Sequence, residues 1–332
     1  MSDGGDVVRV IGMDIGGANL KVSDGESLSV SVPFALWRAP ERLSQILAGL
    51  LGEFDACDAL AVTMTGELAD CFSTRAEGVN HIIDAVELVS NGRTVHVWQT
   101  GGEFVSPAEA RALVPLVAAA NWHALATWAS RVVPRGASLL LDCGSTTTDV
   151  IPILDGIPAP EGRTDIGRLL SGELVYLGVR RTPVCAMALS VPFQGAECPL
   201  AAELFATSLD VYLLLGDIPE DVGDRNTADG RPATRAAARA RLSRMLCCDS
   251  QDFPDEDVCQ VARFLAQELS SRLASAIQRV LERIDRPCDT VLTSGDGSFV
   301  LQRLISSVPR LKDANVLSLD RALGAEHSRA AC

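Results

Sequence analysis

Residues Leu139 to Gly156 read LLLDCGSTTTDVIPILDG. Three leucines run into Asp142. A short loop follows, made of Cys143, Gly144, Ser145 and Thr146 to Thr148, and a second apolar run, Val150 to Leu154, ends at Asp155-Gly156. An apolar run, a small polar loop, another apolar run and a D-G pair predict a buried β-hairpin. Asp142 stands at a strand end, where a carboxylate reaches a bound cation. Gly144 lets backbone approach an anion, and Ser145, Thr146 and Thr147 add donors.

The pattern occurs a second time. Val10 to Gly25 read VIGMDIGGANLKVSDG: strand, Asp14, the loop Gly16, Gly17, Ala18 and Asn19, a second strand, and D-G again. A tight hairpin with no ligand accounts for either loop alone. The repetition predicts a duplicated α/β fold with a ligand gripped between two hairpins. Residues 1–136 form the first half and 137–332 the second, with an insertion at about 157–250. Lys21 places a cation where a phosphate needs one.

A third loop completes the set. The strand Thr290 to Thr293 ends in Ser294, Gly295, Asp296 and Gly297, and a helix is expected from Phe299. Strand, SGxG and helix is a nucleotide-type arrangement, with the helix start facing an anion or a base. A further strand, Asp58 to Thr65, ends at Gly66-Glu67. Polar groups at the carboxyl end of a buried strand are where α/β sheets place ligands, so Thr63, Thr65, Glu67 and Asp70 are candidates. Charge in the first turn of the next helix explains Glu67 and Asp70 equally well.

The remaining elements follow from apolar periodicity. Helices are expected at Glu41 to Phe54, Ala76 to Val89 and from Ala108, past Asn121-Trp122, to Val133. Others are expected at Leu200 to Leu215, Ala233 to Cys248, Pro254 to about Asp285 and from Ala322. Between residues 163 and 181, Arg163, Asp165, Arg168, Glu173, Arg180 and Arg181 cluster on a chain of net charge −14. A solvated helix face explains such a cluster. A pocket for an anionic or carboxylate-bearing substrate, with Arg163, Asp165, Arg180 and Arg181 as contacts, explains it slightly better. The loop 217–232 carries Asp224, Thr227, Asp229 and Arg231, which fit a lid.

Composition narrows the class. An acidic chain of pI near 4.7 is a poor match for nucleic acid, whose phosphates call for basic stripes. No apolar run reaches the roughly 20 residues of a membrane span. Ten cysteines are scattered without a CxxC pair, and four histidines show no metal-ligand spacing, so reduced thiols in the cytoplasm are expected rather than zinc. Cys143 reads as a small filler at a buried strand end.

The order of the two Asp-Gly loops, Thr65-Gly66-Glu67 and the late SGDG loop resembles the actin, sugar-kinase and heat-shock-chaperone superfamily over the whole chain. Within it, IGMDIGGANLK, MTGELADCF, AAANW, LLLDCGSTTTDVIPI, GELVYLGVRRTPV, ADGRPATRAAARARL and TSGDGSF resemble the hydantoinase A/oxoprolinase-related branch, and in particular proteins encoded with tetrahydromethanopterin-linked one-carbon pathways. That resemblance implies a fold of duplicated actin-like ATPase (ribonuclease H-like) domains with a ligand cleft. It also implies a transferase of methanofuran biosynthesis, which joins an aminomethylfuran methyl diphosphate to the phenol of γ-glutamyltyramine and releases pyrophosphate. Backbone at Gly16, Gly17, Ala18, Asn19, Gly144, Ser145, Thr146 and Thr147 would then cradle the diphosphate. Asp14 and Asp142 would hold Mg²⁺, Lys21 would neutralise the leaving group, and Glu67 or Asp70 would take the phenol proton. The partner is a small phosphorylated substrate, with no nucleic acid and no membrane; a homodimer is left open. The same loops fit an ATP-dependent small-molecule kinase, with Ser294 to Gly297 at adenosine. They also fit an ATP-assisted amide hydrolase and, outside enzymes, a nucleotide-gated assembly module.

Overall fold

A computed structural model describes residues 8–319. The chain divides into two compact units. One takes the chain up to Gly136, Ile153–Leu170 and the stretch from Ser318; the other takes Ala137–Pro152 and Ser171–Leu317.

The first unit is built on a six-stranded sheet of order β3-β2-β1-β4-β5-β6. Its strands are β1 (Val10–Ile15), β2 (Asn19–Ser23), β3 (Ser29–Pro33), β4 (Ala59–Met64), β5 (Thr94–Gln99) and β6 (Glu103–Val105). β1, β2 and β3 form an antiparallel meander, and β4 and β5 continue it in parallel. The helix Leu43–Leu51 buries Leu43, Leu47, Leu50 and Leu51, one stripe at helical spacing. The helix Arg75–Ser90 starts at Thr74, whose side chain accepts from Glu77 N–H, and stops at Asn91 in the left-handed region. The apolar faces of both helices join the sheet residues in one core.

The second sheet repeats the order. β7 (Ala137–Cys143), β8 (Thr148–Leu154), β9 (Ile157–Pro158), β10 (Leu174–Val175), β11 (Ser190–Phe193), β12 (Ala196–Pro199), β13 (Thr290–Ser294) and β14 (Asn315–Ser318) follow in the chain. The sheet runs β10-β8-β7-β13-β14, with β9 on β8, while β11 and β12 form a separate hairpin. β13 lies parallel to β7, as β4 lies parallel to β1. The 3-2-1-4-5 order, found twice, is the actin-like, ribonuclease H-like topology. The longest helix, Asp255–Glu282, buries nine apolar side chains along one stripe, from Val258 to Leu281.

Three helices differ from the periodicity. The expected helix through Asn121 is three pieces, Pro107–Ala112, Val114–Val117 and Asn121–Ala129. Pro115 interrupts it, and Ala119 takes a φ of 49°, which no helix accommodates. The expected helix from Leu200 begins only at Ser208, where Thr207 and Asp210 form a capping box. Pro40–Arg42 is a 3₁₀ turn, so the first helix starts at Leu43. The D-G pairs also differ from each other. Asp155 and Gly156 both have positive φ, as a two-residue hairpin turn requires. Asp24 instead accepts from the N–H groups of Glu26, Ser27 and Leu28 and makes a longer loop. The helix expected from Ala322 lies outside the described residues.

Of the insertion expected at 157–250, the part up to Leu170 goes with the first unit. Two contacts inside that unit hold it: the Arg75–Asp165 ion pair at 2.9 Å, and Arg168, whose guanidinium lies 4.0 Å from the Trp122 ring centroid.

Candidate functional site

In the first unit, sheet register assembles the Asp14 site. Asp14 pairs across β1–β2 with Lys21 and across β1–β4 with Thr63. The Thr63 hydroxyl donates to Asp14 Oδ1 at 3.2 Å, and Lys21 Nζ stands 3.7 Å from Oδ2. Asp14 is buried, so its charge is placed by these neighbours rather than by water. The loop Gly16 to Asn19 closes through Gly16 N–H to Asn19 O, and Phe34 and Leu36 N–H groups hold the carbonyls of Ala18 and Gly17.

Glu67 follows β4 by three residues and is 1% exposed. Among the described residues neither carboxylate oxygen has a partner that meets hydrogen-bond distance and angle. Burial pushes its pKa up to about 7, with Asp165 adding to the rise; the N–H groups of Glu67 itself and Ala119 and the Arg75 guanidinium pull the other way. The break in the helix therefore has a local role. An Ala119 N–H inside a continuous helix would be committed to a carbonyl one turn back. The helix Arg75–Ser90 presses against this corner. A Cβ at Gly78 would lie 2.3 Å from the Glu67 carbonyl oxygen, so position 78 admits only glycine. Asp70 is exposed and shares none of this enclosure.

In the second unit, Asp142 ends β7 beside its register partner Ser294 on β13. The loop Gly144 to Thr147 closes by Gly144 N–H to Thr147 O at 2.9 Å. Val179 N–H donates to Gly144 O, and Arg180 and Arg181 N–H groups both donate to Ser145 O. Gly178 makes this approach possible, since a Cβ there would stand 2.5 Å from Thr146 N. The third loop seats on the same strand end, with Gly297 N–H donating to Cys143 O at 2.8 Å. Asp142, Gly144 to Thr147, Arg180, Arg181 and Ser294 to Gly297 are thus brought together. Cys143 is a filler: burial pushes its thiol up to about 12, and Thr148 donates to its sulfur.

The basic cluster is divided between the two units. Arg163 and Asp165 belong to the first unit, Arg180 and Arg181 to the second. The Arg180 guanidinium pairs with Asp224, so the polar loop binds it directly. That loop is also tied to the helix Arg235–Met245, because Asp229 accepts from Arg241, which is paired with buried Asp210. Arg235, Arg239 and Arg241 of this helix hold an aspartate and backbone carbonyls.

Sequence reasoning missed a second enclosure in the first unit, around Thr100 and His123. His123 is buried, and its pKa is lowered to about 4 by burial first and then by Arg163 and Arg168. The one signal was an isolated histidine in the apolar run AAANWHALA.

Asp14 and Asp142 each offer one carboxylate beside a glycine loop. Magnesium takes one or two carboxylates and fills its remaining positions with water and phosphate oxygens. Among the described residues no group of three or more His, Cys, Asp or Glu gathers as a protein-only metal cage.

Two sheets of the same order, each with an Asp-Gly loop at the end of its first strand, define a duplicated actin-like α/β protein. Residues 58–308 match the hydantoinase/oxoprolinase family, and the chain belongs to it. It is 32% identical, over 97% of its length and 94% of the relative's, to the (4-{4-[2-(gamma-L-glutamylamino)ethyl]phenoxymethyl}furan-2-yl)methanamine synthase of Methanocaldococcus jannaschii. It is 30% identical to the synthase of the same name from Methanococcus vannielii, over 58% of this chain and 85% of that one. Solved structures with similarity include a non-polymerising MamK mutant bound to AMPPNP (TM-score 0.47, 10% identity, 98% of this chain and 97% of that one). Another is Ta0583, an archaeal actin homolog in complex with ADP (TM-score 0.43, 14% identity, 98% and 99%). Among the described residues no helix is long and apolar enough to cross a membrane.

Proposed function

We propose that this chain makes the aryl furylmethyl ether named in its relatives, in methanofuran biosynthesis. The observation that carries this reading is the 32% identity sustained over 97% of the chain. The phenol oxygen of γ-glutamyltyramine attacks the methylene carbon of an aminomethylfuran methyl diphosphate. The carbon–oxygen bond to the diphosphate breaks, and pyrophosphate leaves with the electron pair.

Glu67 takes the phenol proton. A carboxylate at the ordinary value of 4.5 faces a phenol near 10 across a gap worth about 7 kcal/mol; at about 7 the gap falls to about 4 kcal/mol. Burial of Glu67 is what makes it basic. Lys21, beside the Gly16–Asn19 loop of the same unit, receives the charge that develops on the leaving diphosphate. Mg²⁺, held at Asp14 or Asp142, would supply further neutralisation of that charge. Free cysteines throughout the described residues fit a reducing cytoplasm.

The test is turnover of the two substrates with Mg²⁺ and no nucleotide, following the ether by mass and pyrophosphate by coupled assay. Ether and pyrophosphate in equal amounts are expected. A requirement for ATP, with phosphate transferred to a substrate hydroxyl, would replace this reading with the kinase.

A further inference from the structure

The first unit holds a cavity of about 420 Å³ that none of the roles above uses. Thr100, Gly101 and Gly102 line it just beyond the end of β5, His123 and Thr127 line it from the helix Asn121–Ala129, and Arg163 and Pro158 belong to its far wall. We propose that this cavity binds a small carboxylate-bearing molecule and, resting on the reaction given above, that it seats the glutamyl end of the phenolic acceptor.

Charge selects the ligand class. Among the described residues Arg163 is the one charged residue that lines the cavity; it is exposed, and no acidic side chain lines it. A carboxylate gains a charge-assisted fork at Arg163. The uncharged donors point the same way. Thr100 is 2% exposed and its hydroxyl has no partner in the fold, a cost of desolvation that a bound acceptor removes. His123 Nδ1 lies 3.4 Å from the Thr127 hydroxyl; with Thr127 donating, the proton sits on Nε2, which is left as a donor. The low pKa of His123 keeps it neutral at working pH, so Arg163 supplies the charge alone.

Position links the cavity to the reaction. The segment from Ala119 to His123 borders both places: Ala119 N–H faces the Glu67 carboxylate, and His123 lines the cavity one helical turn later.

The experiment pairs calorimetry with steady-state kinetics on the full chain, using γ-glutamyltyramine and tyramine, which shares the phenol and lacks the carboxylate. Arg163→Gln is expected to weaken γ-glutamyltyramine binding about 10- to 100-fold, and Thr100→Val about 3- to 10-fold. Tyramine binding should respond to neither. The acceptor KM should rise by the same factors, well beyond any fall in kcat, while the KM for the diphosphate substrate holds. Thr100→Val loses an unsatisfied hydroxyl, so its melting temperature should stay level or rise, which separates binding from folding. An acceptor KM unmoved by Arg163→Gln, or a parallel rise in both KM values, would overturn the cavity assignment while leaving the ether synthesis intact. If the wild type forms no ether, the reaction reading fails by itself. The carboxylate site then stands if γ-glutamyltyramine still binds and Arg163→Gln abolishes it, and falls if the wild type does not bind it.

Discussion

The two units share a sheet order and differ in how they treat buried charge. In the second, Arg241 is fully buried and paired with Asp210 and Asp229, Arg283 with Glu173, and Arg180 with Asp224. In the first, Glu67 is as buried as any of these and both its oxygens lack a partner. Duplication copied the scaffold. An unpaired buried acid is costly to fold and reactive once folded, and the base proposed above lies in the copy that holds one. The other copy spends its charges on holding a long polar loop.

The sharpest way to break this contrast is Glu67→Gln. Turnover should fall about 10²- to 10⁴-fold, the usual range for a general base, and wild-type kcat should rise with pH through about 7. Stability should move the opposite way. Because the folded pKa of Glu67 is raised from 4.5 to about 7, its contribution is fully present below 4.5 and is lost as pH rises through 7. Denaturant titrations should find the glutamine variant more stable than wild type at pH 8, by on the order of 3 kcal/mol, and equal to it at pH 4. A variant less stable than wild type at pH 8 would mean that Glu67 is a structural acid.

Arg241→Ala asks the complementary question of the second unit. It leaves Asp210 buried and unpaired, so a loss of about 3–5 kcal/mol is expected in chemical denaturation. A loss under 1 kcal/mol would show that the pairing in the second unit is dispensable and the contrast between the units empty. Lys21→Ala comes next, with kcat lowered about 10²-fold and melting temperature little changed, because its ion pair with Asp14 is long and partly exposed. The smallest effects are expected where the units should behave alike. Thr74 and Thr234 both cap a helix through the side-chain oxygen. Alanine at either should cost about 1 kcal/mol, and a large difference between them would point to unequal local stability.

Much of the scaffold was legible because it rests on local signals. Asp14, Asp142 and their glycine loops announce themselves as strand, turn and strand, and Ser294 to Gly297 as strand, turn and helix. Glu67 could be shortlisted from its place at a strand end. Its isolation could not, since that depends on Gly78, Ala119 and Asp165, which only the fold brings near. The division of the arginine cluster between the units was hidden for the same reason. Arg163 and Arg180 are close in sequence, yet the chain passes from one unit to the other between Leu170 and Ser171. Asp210 and Arg241 are far apart in sequence, and nothing local to either predicts the other. The broken helix near Ala119 was hidden by an alanine-rich sequence that favours a helix in isolation.

The crossing at Leu170 also sets an order of assembly during synthesis. When residue 136 has left the ribosome, the first sheet is complete, but Asp165 and Arg168 do not yet exist. Arg75 waits for its ion-pair partner, and Trp122 for the guanidinium that stacks on it. The strands β7 and β8 must be made in between, so the opening strands of the second unit are translated before the first is finished. A gene cut after residue 136 would encode the first sheet without the partners of Arg75 and Trp122, which would return only when the missing segment was supplied in trans.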